Sequence, residues 1–159
     1  MEPPLNVVYV KPEIPQNTGS TARLCAATGI PLHLVGRLGF RIDDRAVKRA
    51  GLDYWKHVTV VRHRDFDSLR AEAGDAARFL LFSKTAKKLY SEAEYRKGDY
   101  LVFGSETKGL PPEIMEAYSE TCYRIPILPG VRSLNLATST GIVVFEALRA
   151  LGFPHMENA

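Results

Sequence analysis

A chain of 159 residues has the length of one domain and can bury a core of its own. With 45% hydrophobic and 25% charged residues, 12 Gly, 10 Pro and a net charge of +3, the composition excludes collagen, coiled coil and a disordered chain. No apolar run approaches the roughly 18–20 residues of a membrane span. The opening MEPPLNVVYV carries no basic stretch ahead of its apolar residues, so a soluble cytoplasmic protein without a signal peptide is expected.

Short apolar runs alternate with amphipathic stretches along the chain. The Val-rich segment 5–10 reads as a buried strand ended by Lys11-Pro12. Asn17 then stands as the N-cap of a helix through Ala27, with Gly29 as its stop. A second strand is expected over 31–35, a short helix opened by two acids over 43–50, and a third strand over 58–62. A helix over 66–73 and strands over 79–82 (FLLF) and 100–103 (YLVF) follow. Pro111-Pro112 opens a helix through Tyr118, since proline is tolerated in a first turn. A sixth strand over 122–127 leads to the longest helix, 134–151, stopped by Gly152 and Pro154. Strand and helix alternating throughout predict a single α/β domain over 1–159 with a mostly parallel sheet.

The positive charge is local. Between Arg41 and Asp65 stand seven Lys and Arg against four Asp, and the rest of the chain balances. Such a segment suits either a polyanion, nucleic acid being the commonest, or an ordinary solvated helix face. Cys25 and Cys122 lie far apart, outside any CxxC or Cys/His spacing that reads as zinc, so neither a disulfide nor a metal site is expected.

Ligands of parallel sheets bind outside the carboxyl ends of the strands, and three such junctions are unusual. The first, Pro12 to Arg23, has stiffening prolines, a helix N-terminus that attracts anions, Gly19 where a backbone can come close, and Arg23 one to two turns in. The second, Val102 to Pro111, places Gly104 directly after a strand, where a flat ligand can lie on the backbone. It is no P-loop, because Gly104 and Gly109 lead to Leu110-Pro111 and not to Lys-Ser/Thr. Glu106 there is either a solvated loop acid or a hydrogen-bond acceptor in a site. The third, Ile125 to Asn135, is a Pro- and Gly-stiffened loop in which Ser133 or Asn135 can cap the last helix. That helix carries Ile142, Val143, Val144, Phe145, Leu148 and Leu151, wider than one core-facing stripe. The excess suits a subunit interface, and Gly141 inside it permits close backbone approach.

Asn17-Thr-Gly-Ser-Thr-Ala-Arg23, Phe103-Gly-Ser-Glu-Thr-Lys-Gly109 and Ile125-Pro-Ile through Ser133-Leu-Asn135, in this order, resemble the three motifs of the SPOUT superfamily of RNA methyltransferases. The likeness spans almost the whole chain. It is strongest to the minimal members that act on the tRNA wobble nucleotide, through Pro12-Glu-Ile-Pro, Arg23-Leu-Cys, Arg49-Ala-Gly-Leu-Asp-Tyr54 and Gly98-Asp-Tyr100.

The resemblance implies helices on both sheet faces, a C-terminal deep trefoil knot, and a homodimer packed through the knot region. It implies methyl transfer from S-adenosyl-L-methionine to a ribose 2′-oxygen in the tRNA anticodon loop, with S-adenosyl-L-homocysteine as product and no metal. Phe82, Gly104, Ile125, Ser133 and Leu134 then line the cofactor site, and Glu106 and Asn135 organise it. Arg23 takes the catalytic position, with Asn17 placing it or the RNA. A guanidinium keeps its proton in proteins, which favours holding a phosphate or stabilising developing oxyanion charge over acting as a base. Arg41, Arg45, Lys48, Arg49 and Lys56 supply RNA contacts, with Tyr54 and Trp55 as stacking partners or else core residues. The same chemistry on ribosomal RNA, a catalytically silent RNA-binding relative and a generic nucleotide-binding α/β protein are the other readings; the last lacks the phosphate-loop glycines.

Overall fold

The computed structural model describes residues 2–43 and 45–156, and the side chains of Lys48 and of residues 51–54 lie outside that description. Among the described residues seven strands form one parallel sheet: β1 (Leu5–Val10), β2 (Leu32–Val35), β3 (Val60–His63), β4 (Phe79–Phe82), β5 (Lys88–Leu89), β6 (Asp99–Phe103) and β7 (Cys122–Arg124). Their order across the sheet is β3-β2-β1-β6-β4-β7-β5. The helices are α1 (Pro15–Thr28), α2 (Arg45–Gly51), α3 (Phe66–Ala73), α4 (Pro112–Ala117) and α5 (Leu136–Ala150).

Alternation along the strands divides the core in two. Leu5, Val7 and Tyr9 of β1, Leu32 and Leu34 of β2 and Leu101 and Phe103 of β6 pack with Ala22 and Cys25 of α1 and Val143, Val144, Ala147 and Leu148 of α5. Val8 and Val10, Val35 and Val102 face the other way, onto Phe66 and Leu69 of α3 and Ile114 of α4. Both faces of the sheet are covered, which is why every residue of β1 and β4 is buried, Asn6 included.

Several expected boundaries shift for physical reasons. Asn17 does not cap α1: Ile14 holds the N-cap position, Pro15 starts the helix with its preset φ, and Asn17 is buried in the first turn. Gly29 does end it, in the left-handed conformation at φ 69°. The helix expected over 43–50 begins only at Arg45, with no acid in its first turn, and continues as a 3-10 turn over Leu52–His57. Strand β7 stops at Arg124 because Pro126 cannot donate to a ladder. Helix α5 starts at Leu136, capped by the Asn135 side chain on the Thr138 amide at 3.1 Å, which leaves Ser133 and Leu134 in the preceding loop. Strand β5 is two residues long, too short for a periodic signal, and was not expected from the sequence.

The chain order places the junctions. β1, β2 and β3 build outward on one side, and the remaining strands fill the other, with β6 inserted between β1 and β4. The carboxyl ends of β1, β6, β4 and β7 therefore stand side by side. After β7 the chain returns to the middle of the sheet, where α5 packs on α1 and β6.

Candidate functional site

The first, second and third junctions meet through a chain of side-chain hydrogen bonds. Glu106, in the loop after β6, accepts from the backbone N–H of Glu13 at 2.8 Å and of Ile14 at 2.7 Å. Its second oxygen also accepts from Asn17 Nδ2 at 3.1 Å. The Asn17 Oδ1 in turn accepts from Asn135 Nδ2 at 2.9 Å. Ile14 has no side chain able to cap, and a carboxylate 92 residues away satisfies the backbone there. Glu13 repays the contact: its carboxylate accepts from the Thr107 hydroxyl at 2.7 Å and amide at 3.2 Å. Those two bonds, the hydroxyl first, hold the Glu13 carboxyl below its ordinary range.

Each amide in this chain has one orientation that fits. Asn135 spends its oxygen on the α5 cap, so its nitrogen faces Asn17; Asn17 must then present oxygen to Asn135 and nitrogen to Glu106. Asn17 is buried, whereas Asn135 is exposed and keeps a second amide proton undonated among the described residues.

Beneath the clasp runs a second polar chain. Tyr9 of β1 is fully buried, with its hydroxyl 2.5 Å from Thr21 Oγ1 of α1 and 2.6 Å from Thr140 Oγ1 of α5. Thr140 gives its proton to the Leu136 carbonyl at 2.8 Å. Tyr9 therefore donates to Thr140 and accepts from Thr21, and the three elements are tied at one point. Burial pushes the Tyr9 phenol far above its ordinary range, so the hydroxyl stays protonated.

Of the residues expected to line a cofactor site, Phe82, Gly104 and Ile125 lie at or directly after the ends of β4, β6 and β7. Phe82 ends β4 and stacks on Phe103 with ring centroids 5.2 Å apart. Ile125 follows β7, half-buried against the α1/α5 core. Ser133 is exposed and Leu134 half-buried just before α5. No backbone group of residues 126–134 has a hydrogen-bond partner among the described residues, and Leu128 and Val131 there are 80% and 59% exposed. A Cβ on Gly104 would sit 2.1 Å from the Gly109 carbonyl carbon, so on that side the loop itself takes the place of a side chain. The smallness of Gly104 lets the loop fold back on itself through the Ser105–Gly109 bridge, which is what aims Glu106 at α1.

Arg23 is exposed on α1. Six residues past Asn17, it lies about 9 Å further along the axis and roughly 120° around it. The basic segment lies beside α1, against which α2 packs. Arg45, Arg49 and Lys56 are exposed, and Arg41 pairs with Asp43 at 3.2 Å. Lys48 and Tyr54 fall outside the described side chains. Trp55 is half-buried on the core and donates to the Val47 carbonyl at 3.3 Å, so it packs and does not present a stacking face. A Cβ on Gly141 would meet nothing within 4 Å among the described residues. Both cysteines are buried and free, Cys25 with its thiol pushed up to about 12 by burial.

Residues 4–145 match the model of the SpoU rRNA Methylase family. The chain belongs to that family. A tRNA (cytidine(34)-2'-O)-methyltransferase of Burkholderia ambifaria is 47% identical over 150 residues, covering 93% of this chain and 96% of that protein. A structure solved for insight into the 2-OH methylation of C/U34 on tRNA superposes with a TM-score of 0.89 at 44% identity, covering 93% of this chain and 96% of the other. An AdoMet-bound rRNA methyltransferase from Sinorhizobium meliloti superposes with a TM-score of 0.85 at 27% identity, covering 95% of this chain and 58% of its own. The parallel sheet with helices on both faces is the knotted SpoU architecture. No described helix is long and apolar enough to cross a membrane.

Proposed function

We propose that this SpoU-family chain transfers a methyl group from S-adenosyl-L-methionine to the ribose 2′-hydroxyl of the wobble nucleotide, position 34, of tRNA in the cytoplasm. The observation that carries the reading is the Glu106–Asn17–Asn135 chain, which brings three loops to one point at the carboxyl ends of the central strands. The names of the near relatives support the choice of tRNA and of position 34.

The open backbone of residues 126–134, with exposed Leu128 and Val131 within it, fits an adenosyl group, which has an apolar face and a hydrogen-bonding edge. Phe82, Ile125, Ser133 and Leu134 would hold it, with Gly104 shaping the adjoining loop. When bound, the cofactor supplies an electrophilic methyl on sulfur. The chain's own part is orientation: Glu106 and Asn17 fix the start of α1 against the loop before α5, and Asn135 offers a free amide proton to the incoming sugar. Arg23 contributes a fixed positive charge for a phosphate or for developing charge on the 2′-oxygen.

The site is proposed to be completed in a homodimer. Ile14, Leu128, Val131 and Phe145 are exposed at 42–80%, and Phe145 shares α5 with the open Gly141. Arg41, Arg45, Lys48, Arg49 and Lys56 are proposed to meet tRNA phosphates.

Bulk tRNA and ribosomal RNA are each incubated with enzyme and isotope-labelled methyl donor, digested and analysed by mass spectrometry. Labelled 2′-O-methylcytidine or a 2′-O-methylated uridine in the tRNA digest is expected. Label confined to ribosomal RNA would move the substrate, and label in neither would overturn the activity.

A further inference from the structure

We infer that the cleft between α3 and α4, at the carboxyl ends of β1, β2 and β3, is a second RNA-backbone site that holds a phosphodiester of the strand entering the active site. The inference rests on the proposed tRNA methylation and adds to it where, outside the 41–56 segment, the RNA is gripped. The cleft measures about 420 Å³. It opens where the fold reverses direction: α1 leaves β1 for one face of the sheet and α4 leaves β6 for the other. Such a reversal creates a crevice in open parallel sheets. Lys11 and Pro111 on its wall belong to the same segments as Glu13 and Glu106, so it adjoins the clasp directly.

Four cations reach this cleft: Lys11, Arg37, Arg64 and Arg70, against the carboxylates of Asp65, Asp67 and Glu113. Two of the acids are already engaged. Asp65 caps α3 through the Ser68 amide at 2.8 Å and neighbours Arg64 at 3.4 Å, and Asp67 lies 3.7 Å from Arg70. Lys11 and Arg37 have no ion pair among the described residues, and both are exposed.

Lys11 is also held in place at a cost. Its backbone is left-handed at φ 52°, a conformation that non-glycine residues avoid and that clusters at functional sites. Its amide is fixed to the Val35 carbonyl at 2.8 Å. Its stem lies across Gly36, where a Cβ would come 3.0 Å from Lys11 Cγ and 3.4 Å from Cε. A turn strained to lay one lysine over one glycine, beside an unpaired arginine, has the chemistry to hold an anion. The neighbouring clasp, proposed to receive a ribose, makes that anion the RNA's own phosphodiester.

The test measures tRNA affinity of the full chain against salt concentration for wild type, Arg37→Ala, Arg37→Lys and the double variant Lys11→Ala/Arg37→Ala. S-adenosyl-L-methionine titration and thermal unfolding report on folding. The double variant is expected to bind tRNA about tenfold more weakly at 0.1 M salt. Its log–log salt slope should be shallower by roughly 0.7–0.9 per lost contact, with cofactor affinity unchanged. Arg37→Ala, an exposed single change, should show half the slope change, and Arg37→Lys should restore the slope. A double variant with wild-type affinity and slope, in an enzyme that still methylates tRNA, would overturn the cleft while leaving the activity standing. Displacement of tRNA by micromolar adenosine 5′-monophosphate would also overturn it, in favour of a free-nucleotide site.

Discussion

Asn135 Nδ2 donates to Asn17 Oδ1 at 2.9 Å, a bond between residues 118 positions apart that joins the start of the last helix to the first turn of the first. Because Asn17 also donates to Glu106, the two asparagines act as one unit, and their substitutions should not add. Asn17→Ala and Asn135→Ala, singly and together, are expected to show a coupling of about 0.5 kcal/mol or more in a double-mutant cycle by denaturant unfolding. Asn135→Ala alone should cost about 1 kcal/mol from the lost α5 cap. Additivity within about 0.3 kcal/mol would mean that the contact carries no energy.

Tyr9→Phe removes one oxygen and strands the Thr21 hydroxyl in the core. The expected loss is about 1–3 kcal/mol in urea unfolding, the ordinary cost of a buried polar group left without a partner. Since the same oxygen ties α1 to α5, the Michaelis constant for the methyl donor should rise while the fold persists. An unchanged stability would show that the threonines find other partners.

The local elements were legible in the sequence because their signals are local. The Val-rich run of β1, the FLLF run of β4 and Gly29 after α1 each report a preference of their own few residues. The cap of α1 was not. Asn17 has the right residue type at nearly the right place, but the proline at 15 starts the helix earlier and the acceptor comes from Glu106. Glu13 and Thr107 escaped notice for the same reason: neither is unusual until β6 is inserted beside β1, an order that no local pattern encodes. Gly104 was recognised as a place needing a small residue, and on one side what comes close is its own loop. The motifs announced that three segments belong together, and only the strand order explains how.

A pH dependence follows from the face opposite the clasp. His33 of β2 lies 2.9 Å from His63 of β3 through its Nδ1 and 3.1 Å from Asn6 Oδ1 through its Nε2, and His63 Nδ1 reaches Glu72 at 3.2 Å. Asn6 uses its amide nitrogen on the Gly98 carbonyl, so His33 donates to Asn6. Burial first, and then His63, lower His33 to about 4 from the ordinary 6.5. The unfolded chain therefore binds a proton there that the folded chain refuses. Stability is intact above pH 6.5, falls as pH drops, and the loss, about 3 kcal/mol in all, is complete below about pH 4. His33→Gln should unfold in urea with a flatter dependence between pH 7 and pH 4.5 than wild type. Parallel curves would contradict the assignment.

Gly141 separates the subunit from the proposed dimer. Among the described residues of one chain an added methyl meets nothing, so Gly141→Ala should stabilise α5 by up to about 1 kcal/mol through helix propensity. If a second copy packs on α5 beside Phe145, the same methyl should weaken association. Analytical ultracentrifugation of the variant is expected to show a higher dimer dissociation constant than wild type, and an unchanged one would place the interface elsewhere.

The most direct test uses two synthetic anticodon stem–loops that differ by one oxygen, ribose in one and 2′-deoxyribose in the other at position 34. With labelled S-adenosyl-L-methionine the first should accept a single methyl and the second none. Equal labelling of both would contradict methyl transfer to the 2′-oxygen of that nucleotide.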